Sequence, residues 1–573
     1  MQTSLQLREQ LRSIDRKSYP AYKSLRGQYR FPHFVLSIDH VQGDPFASPS
    51  AVSILVSHGD AGFPAAFYKN RLCRTTLADF LIRGFSRAVA ASSFQARGSG
   101  KSGLISISRC GQEVIARTAC EITDSGIIMR FFVGFPAHGR TIAAGELEKI
   151  LFDYLPEAAE QTLYYRSVNA SALSRAIELA EDQQSIRDQL PGLGLCAFVA
   201  DGSVLPRESG VSDRPMKDSI PFLSPERLRV TMELPHRGSI SGMGIPCGIT
   251  LIAGGGFHGK STLLDALSLG VYNHIAGDGR EFVITDDTAV KLRAEDGRFV
   301  RDVDISMFIN HLPNDRDTAS FSTLDASGST SQAAGISESI EAGARVILLD
   351  EDTSAANFMV RDAFMQAVIA REKEPITPFL ERARDLYSEA GISTILVAGS
   401  SGAFFHIADT VIQMDSYRPV DITEKAKSLC DSYPLPEVGV PPFSLPASHR
   451  IMTCKKEQPA GRQPEGRDGG RERIKMKCRG RDGFSLGRDE IDLRAIEQIT
   501  DSEQTAALGL LLKYAVTHLI DGKRTLPEVA KILSENLEQR GLSFLSDDGG
   551  IFCGYAQPRT QEIYACLNRY RRP

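Results

Sequence analysis

The strongest chemical signal in the chain is one glycine-rich stretch between an apolar run and a pattern typical of a helix. Its nine residues are Gly254, Gly255, Gly256, Phe257, His258, Gly259, Lys260, Ser261 and Thr262. They match G-x-x-x-x-G-K-[ST], in which glycines let backbone N–H groups surround a polyanion and a helix N-terminus faces the same charge. We expect this stretch to bind the phosphates of a nucleotide, with Lys260 reaching the β- and γ-phosphates and Ser261 binding Mg²⁺. The alternative is a turn that binds nothing, and the agreement of the motif with its context argues against it.

Two acids follow a second apolar run. The four apolar residues 346–349 lead directly into Asp350 and Glu351. Such a run is typical of a buried parallel strand that brings an acid to the ligand-binding edge of an α/β sheet. We expect Asp350 to bind Mg²⁺ and Glu351 to polarise the water that attacks ATP. A core strand with a solvated acidic end is the alternative.

A second segment, Gly98 to Ser102, resembles the last part of the phosphate-binding motif. Gln95 stands where the first glycine of the motif belongs, and the residues that follow alternate like a strand. No helix N-terminus is therefore expected there to bind phosphate. We predict a hairpin turn, with Lys101 close to a ligand from another domain as the alternative.

Bulk properties restrict the class of protein. The length of 573 residues suggests about three or four domains, and a formal net charge of −5 argues against nucleic-acid binding by the whole surface. Ten cysteines without a C-x-x-C pair indicate free thiols rather than a zinc or redox site. With no signal peptide and no apolar run of about 20 residues, we expect a soluble, cytoplasmic protein without a membrane span.

The motifs require a scaffold of alternating strands and helices. Strands are predicted at 281–285, 346–349 and 393–398, and helical patterns lie between the apolar runs. This alternation predicts a parallel, doubly wound sheet with right-handed crossovers.

The order of these motifs resembles an ABC-class ATPase domain, and most of the chain resembles the bacterial "predicted ATPase of the ABC class" family. The stretches that carry the resemblance are 38–46, 209–213, 254–262, 349–355, 491–493 and 497–498. The resemblance implies an α/β protein, with an ABC-type P-loop NTPase domain flanked by an α+β N-terminal domain and a small, partly helical C-terminal domain. It also implies ATP and Mg²⁺ as ligands.

The segment Ala326 to Gln332 resembles the LSGGQ element of ABC ATPases. Ser327 and Gly328 match that element, whereas Ser329 replaces its second glycine. In the family this element closes over ATP bound by another subunit. The resemblance therefore implies that these three residues contact nucleotide across a homodimer interface. A solvated Ser/Thr/Gly-rich loop is the alternative.

Two family features are not matched. Gly399 stands where the switch histidine belongs, and Asp304 and Ser306 lie where the Q-loop glutamine belongs. Ser354 to Asn357 does look like the family's D-loop. The pattern thus predicts nucleotide binding, but it leaves the rate of hydrolysis open.

Composition and motif order predict four segments. They are an N-terminal domain (1–191), the ATPase domain (192–433), a Pro-rich linker with a basic Gly/Arg segment (434–481) and a C-terminal domain (482–573).

Residues 454–481 form a basic segment in an acidic chain. Ten Lys and Arg residues against four acids give it a local charge of +6, which suits contact with a phosphate backbone. The candidate contacts are Arg471, Arg473, Lys475, Lys477, Arg479 and Arg481. A solvated linker is the alternative. A kinetoplastid relative belongs to a mitochondrial RNA-editing complex, so the resemblance implies RNA as a partner.

Three functions remain open at this point. The first is a homodimeric ATPase that couples its nucleotide state to the binding of nucleic acid, RNA above all, or of a protein. The second is a nucleotide-gated RNA-binding module with negligible turnover. The third is a P-loop kinase.

Overall fold

The computed structural model of the chain describes residues 1–369, 371–435, 439–446, 449–453, 474–546 and 550–571. Its contacts divide the chain into two compact units. The first contains Met1–Glu181, His274–Ala276 and Arg540–Gln557, and the second contains Asp182–Asn273, Gly277–Gln539 and Pro558–Pro573. None of the helices in the described part of the chain could span a membrane.

The first unit is built around a mixed sheet. The strands of residues 1–181 are β1 (Gln2–Thr3), β2 (Gly27–Arg30), β3 (Val35–His40), β4 (Ser50–Ser57), β5 (Ile105–Ser106), β6 (Glu113–Val114), β7 (Cys120–Ile122), β8 (Gly126–Val133), β9 (Ala137–His138) and β10 (Thr141–Ile142). Seven of them form one sheet in the order β1-β2-β3-β4-β8-β5, with β7 also paired to β8.

Helices share one hydrophobic core with this sheet. They are α1 (Ser4–Ser13), α2 (His58–Ala61), α3 (Arg71–Ser92), α4 (Ala144–Lys149), α5 (Leu155–Thr162) and α6 (Ala170–Gln189), whose last residues enter the second unit, with 3₁₀ turns at Tyr19–Leu25 and Ala65–Tyr68 and a π turn at Ile150–Tyr154. The longest of those confined to this unit, α3, buries Leu77, Leu81 and Phe85 at helical spacing.

The remaining strands are β11 (Leu195–Ala200), β12 (Arg207–Ser209), β13 (Ser212–Pro215), β14 (Arg229–Leu234), β15 (Gly238–Pro246), β16 (Ile249–Ala253), β17 (Asn273–His274), β18 (Val283–Thr285), β19 (Val290–Leu292), β20 (Arg298–Val303), β21 (Phe321–Ala326), β22 (Val346–Asp350), β23 (Ser393–Val397), β24 (Thr410–Asp415), β25 (Arg418–Asp421), β26 (Met476–Cys478), β27 (Gly483–Leu486) and β28 (Asp489–Asp492). The remaining α-helices are α7 (Lys260–Leu269), α8 (Gly328–Glu341), α9 (Ala356–Met359), α10 (Ala363–Val368), α11 (Phe379–Ala390), α12 (Phe404–Ile407), α13 (Thr423–Cys430), α14 (Ser502–Tyr514), α15 (Leu526–Arg540) and α16 (Thr560–Asn568).

A six-stranded sheet forms the centre of the second unit, in the order β19-β22-β23-β16-β24-β25. All neighbours are parallel except the last pair, β24 and β25. Every residue of β16, β22 and β23 is buried, as expected for parallel strands that are covered on both faces. The predicted parallel sheet is therefore confirmed.

The strand predicted at 281–285 forms as β18, but it belongs to a different sheet from the parallel one. β18 pairs antiparallel with β11 in a four-stranded sheet ordered β14-β15-β11-β18. The Thr285 hydroxyl donates to the carbonyl oxygen of Leu267 at 2.7 Å, and its N–H donates to that of Gly270 at 3.0 Å. These bonds hold β18 against the end of α7, away from the parallel sheet.

The C-terminal residues of the second unit combine a small sheet with helices. β26, β27 and β28 pair antiparallel in chain order, and α14 packs against the first two of them. A 13-residue helix on a three-stranded sheet confirms the partly helical character expected of this region.

Candidate active site

The glycine-rich stretch lies where the sequence predicts, between the buried strand β16 and helix α7. Gly254 (φ 142°) and Gly259 (φ 95°) have backbone conformations that favour glycine. A methyl group at Gly254 would lie 2.5 Å from the carbonyl oxygen of Met414, so the loop also needs glycine for a close approach. At the tip of the loop Phe257 has φ 62° and is 99% exposed.

Lys260 and Ser261 open α7 directly after the loop. The Lys260 Nζ donates to the carbonyl oxygens of Gly254 and Gly255, each at 2.8 Å. No side chain caps the start of this helix, and Ser261 is exposed. Unused helix N–H groups beside an ammonium group are the donors that a phosphate chain requires, so these residues fit the phosphates of a nucleotide.

His258 holds the loop in place. The N–H of Ser416 donates to its Nδ1 at 2.9 Å, and the N–H of Tyr417 donates to its carbonyl oxygen at 3.2 Å. Both donors lie in the turn between β24 and β25. This histidine therefore fixes the loop to the neighbouring strand pair.

Asp350 ends β22 and is only 6% exposed. One of its oxygens accepts a hydrogen bond from the N–H of Asp352 at 3.1 Å. Burial raises the pKa of the Asp350 carboxyl above its ordinary value, because the charged form has lost hydration. A cation at this edge would favour the charged form, and a carboxylate with a serine hydroxyl is the kind of oxygen donor set that Mg²⁺ prefers. The donors present therefore fit Mg²⁺.

Glu351 is held by three successive backbone N–H groups. Its Oε2 accepts from Gly399 at 2.8 Å and from Ser400 at 3.0 Å, and its Oε1 accepts from Ser401 at 3.1 Å. Burial by itself raises the pKa of this carboxyl, but the hydrogen bonds outweigh burial, so the pKa lies below its ordinary value. Glu351 is thus held as a carboxylate.

The fold brings the two predicted motifs to the same edge of the sheet. Asp350 and Ile252 both lie opposite Val397 of β23, the strand between β22 and β16. A methyl group at Gly399 would lie 3.6 Å from the Lys260 Nζ. The amides that hold Glu351 therefore adjoin the lysine of the phosphate loop.

The LSGGQ-like segment begins α8. Ser327 is exposed and caps the helix, whereas Gly328 and Ser329 are buried. Gln332 donates from Nε2 to the Ser354 Oγ at 2.9 Å and accepts at Oε1 from the N–H of Ala355 at 3.0 Å. The segment is thus tied to the D-loop-like residues that follow Glu351.

Sequence reasoning missed an ion network that joins α7 to the C-terminal region. The Lys291 amine on β19 is 2.8 Å from an Asp265 oxygen and 2.5 Å from a Glu497 oxygen, and its side chain is 8% exposed. Burial alone lowers the pKa of Lys291, but both carboxylates outweigh burial and raise it. Gln498 adds bonds to the carbonyl oxygens of Ser268 and Ala289, at 2.9 and 3.1 Å. The family-like pair at 497–498 was the available signal.

The structure describes only part of the predicted nucleic-acid contact set. Arg471 and Arg473 lie outside the described residues. Lys475, Lys477, Arg479 and Arg481 are exposed at or near β26. Arg479 pairs with Glu490 at 2.5 Å.

Three family models match consecutive parts of the chain. "ATPase of the ABC class N-terminal" matches residues 4–166, the P-loop domain model ABC_ATPase matches 169–441, and "MRB1590 C-terminal domain" matches 475–573. The segment boundaries predicted from the sequence stay predictions.

One curated relative and two solved structures are also similar. "Uncharacterized protein MJ1628" of Methanocaldococcus jannaschii is 32% identical over 271 residues, which span 45% of this chain and 57% of the relative. The ADP conformation of MJ1267, described as an ATP-binding cassette of an ABC transporter, is 11% identical and covers 34% of this chain and 88% of its own, with a TM-score of 0.23. CbiO1 from Clostridium perfringens, described as part of the ABC transporter complex cbiONQ, is 14% identical. The match covers 41% of this chain and 91% of CbiO1, with a TM-score of 0.24.

The models agree with the resemblance seen in the sequence, including its kinetoplastid relation. Together they span nearly the whole chain in the expected order: an N-terminal domain, a P-loop domain and a C-terminal domain. The chain therefore belongs to the family of ATPases of the ABC class.

Proposed function

We propose that this protein binds Mg-ATP at the loop 254–262 and hydrolyses it. The observation that carries this proposal is the meeting of two motifs around one loop: Glu351 accepts hydrogen bonds from residues 399–401, and Gly399 adjoins the amine of Lys260. A structural strand with a solvated acidic end would give no reason for this convergence.

Each predicted residue has one role in the proposal. Lys260 and the first N–H groups of α7 bind the phosphates, while Ser261 and Asp350 hold Mg²⁺, which when bound neutralises phosphate charge. Glu351 orients the attacking water and accepts its proton. The amides occupy three of the roughly four acceptor positions of this carboxylate, so in this proposal Glu351 acts as a base after it leaves them.

The active form in this proposal is a homodimer, in which Ser327 of each copy contacts the nucleotide of the other and the buried Gly328 and Ser329 form the helix start behind it. The exposed Ser327 at the start of α8 supports this arrangement. The link from Gln332 to the residues after Glu351 gives a path by which dimer closure reaches the acidic strand.

We further propose that RNA is the partner whose binding responds to nucleotide. The match to the MRB1590 C-terminal domain and the exposed basic residues at its start, between Lys475 and Arg481, support RNA. The network of Asp265, Lys291 and Glu497 connects the helix of the phosphate loop to that domain. A shift of α7 on nucleotide binding would therefore be felt at the C-terminal region.

The test is Glu351→Gln in the full-length protein. We expect phosphate release to fall at least about 100-fold, as removal of one catalytic group often costs, and we expect ATP to retain the variant as a dimer in size-exclusion chromatography. Asp352→Asn, which removes a neighbouring charge, is the matched control and keeps its turnover. Equal turnover in parent and Glu351→Gln would contradict hydrolysis through Glu351. Transfer of phosphate to a small molecule instead of water would favour a kinase.

A nucleotide-gated RNA-binding module with negligible turnover is the second candidate. Gly399 in place of a histidine and the three hydrogen bonds that lower the basicity of Glu351 favour it. ATP-dependent RNA binding by a parent protein that releases no phosphate would establish this second function.

A further inference from the structure

The loop formed by Gly399, Ser400 and Ser401 is an anion-binding site that already contains an anion. Three successive backbone N–H groups converge on one carboxylate at 2.8 to 3.1 Å. Convergent backbone N–H groups in a turn form a concave site that favours negatively charged oxygens. Gly399 and Ser400 are exposed, so a ligand can reach this loop from solvent.

The position of this loop gives it a second possible occupant. Gly399 adjoins the Lys260 amine, which among the described residues donates to the carbonyl oxygens of Gly254 and Gly255. A lysine and three amides side by side form a site for a dianionic group with several oxygens. A carboxylate offers two oxygens and one charge, whereas a terminal phosphoryl group offers three oxygens and more charge.

We propose that the amides of residues 399–401 are the subsite for the terminal phosphate of a nucleoside triphosphate, and that Glu351 is a resident anion which this phosphate displaces. The inference rests on the proposed function and extends it to the regulation of the same site. Glu351 is withheld while the subsite lacks phosphate. Its release coincides with the arrival of the substrate to be hydrolysed.

This exchange distinguishes triphosphate from diphosphate. Lys260 and the start of α7 serve both nucleotides, because both carry a β-phosphate. Only a triphosphate has a group to exchange with Glu351. Loss of one amide should therefore weaken triphosphate binding selectively, and loss of the Glu351 carboxylate should strengthen it selectively.

The experiment compares the affinities of full-length protein for Mg-ADP and for the non-hydrolysable Mg-AMPPNP by titration calorimetry. Ser400→Pro removes one N–H, and Ser400→Ala is its matched control because it removes the same hydroxyl and keeps the N–H. Gly399 before it tolerates the backbone restriction that a proline imposes on its predecessor. We expect Ser400→Pro to lower the preference for AMPPNP over ADP about tenfold, and Ser400→Ala to change it less than about threefold.

A second pair leaves the backbone intact and decides the matter if Ser400→Pro does not fold. Glu351→Ala empties the subsite, while Asp352→Ala removes the same charge one residue away. We expect Glu351→Ala to raise the preference for AMPPNP about tenfold, and Asp352→Ala to raise it less than about threefold. The ratio of affinities is a binding measurement and does not depend on turnover.

The outcomes separate this inference from the proposed function. Equal preferences within each matched pair, in a parent protein that binds both nucleotides, would overturn the subsite and leave ATP binding intact. A parent that binds neither nucleotide would overturn both.

Discussion

Two segments of this chain contain Gly-Lys-Ser, and their surroundings differ. In the first, residues 98–102, the backbone N–H groups are already used: Ser99 donates to Ala137 at 2.7 Å and Lys101 donates to Pro45 at 2.8 Å. In the second, the N–H groups of Lys260 and Ser261 begin a ten-residue helix that no side chain caps. Of the two segments, the second has the helix N-terminus and the right residue types together, which is the combination that phosphate binding requires.

The glycines of the two segments also serve different purposes. Methyl groups at Gly98 and Gly100 would lie 2.6 Å from Ser102 and 2.5 Å from the Pro45 carbonyl oxygen, so close packing excludes larger residues there. A methyl at Gly256 would meet no atom within 4 Å. Glycine at position 256 is therefore not required by packing, which is consistent with room kept for a ligand. The predicted hairpin turn at 98–102 is wrong, because the segment connects helix α3 to the short strand β5.

The largest expected effect is on nucleotide affinity. Lys260→Ala should weaken Mg-ADP binding about 100-fold, because one charged donor to phosphate is worth about 2 to 3 kcal/mol. Lys101→Ala, the matched change in the other segment, should change it less than twofold, or less than about 0.4 kcal/mol. Titration calorimetry on both variants measures this. Equal losses would show that the two segments do not differ in phosphate binding.

The next effect is on stability, and we expect it to be larger at the first segment than at the second. Gly103 follows the first segment at φ 77°, and a methyl there would collide with the Ala96 carbonyl oxygen. Gly103→Ala should lower the free energy of unfolding by about 2 kcal/mol through overpacking and strain. Gly256→Ala should change it by less than about 0.5 kcal/mol. Urea denaturation of both variants is the measurement, and a destabilised Gly256→Ala with an unaffected Gly103→Ala would reverse the interpretation of both glycines.

The smallest effect concerns the carboxylate held beside the second segment. The folded pKa of Glu351 is lowered, so its stabilising contribution is present above the unfolded value of about 4.3 and is lost as pH falls through the folded pKa. At pH 7 we expect the Tm of the parent to lie about 1 to 2 °C above that of Glu351→Gln. The difference is small because the Glu351 side chain is partly exposed and weakly coupled to folding. This margin should vanish in strong acid. A margin that grows on acidification would contradict the hydrogen-bonded carboxylate.

Much of the site was predictable because it depends on local rules. The spacing from Gly254 to Ser261 specifies a loop and helix start by itself, and an apolar run ending in Asp350 specifies a buried strand with an acid at its end. The amides that hold Glu351 were not predictable in this way, since every residue except proline has an N–H and only the path of the chain aims three of them at one point. The pairing of β18 with β11 likewise depends on bonds between Thr285 and the end of α7.

The sequence alone determined which groups are available: a P-loop motif, an acidic strand end, no histidine at position 399 and a match to ATPases of the ABC class across three regions. The tertiary structure decided which groups meet, placing Glu351 on the amides of residues 399–401 and Lys291 between Asp265 and Glu497. The physical reason is that these contacts join residues 26 to more than 200 positions apart, so they depend on strand order and register. No local pattern of side chains encodes strand order or register.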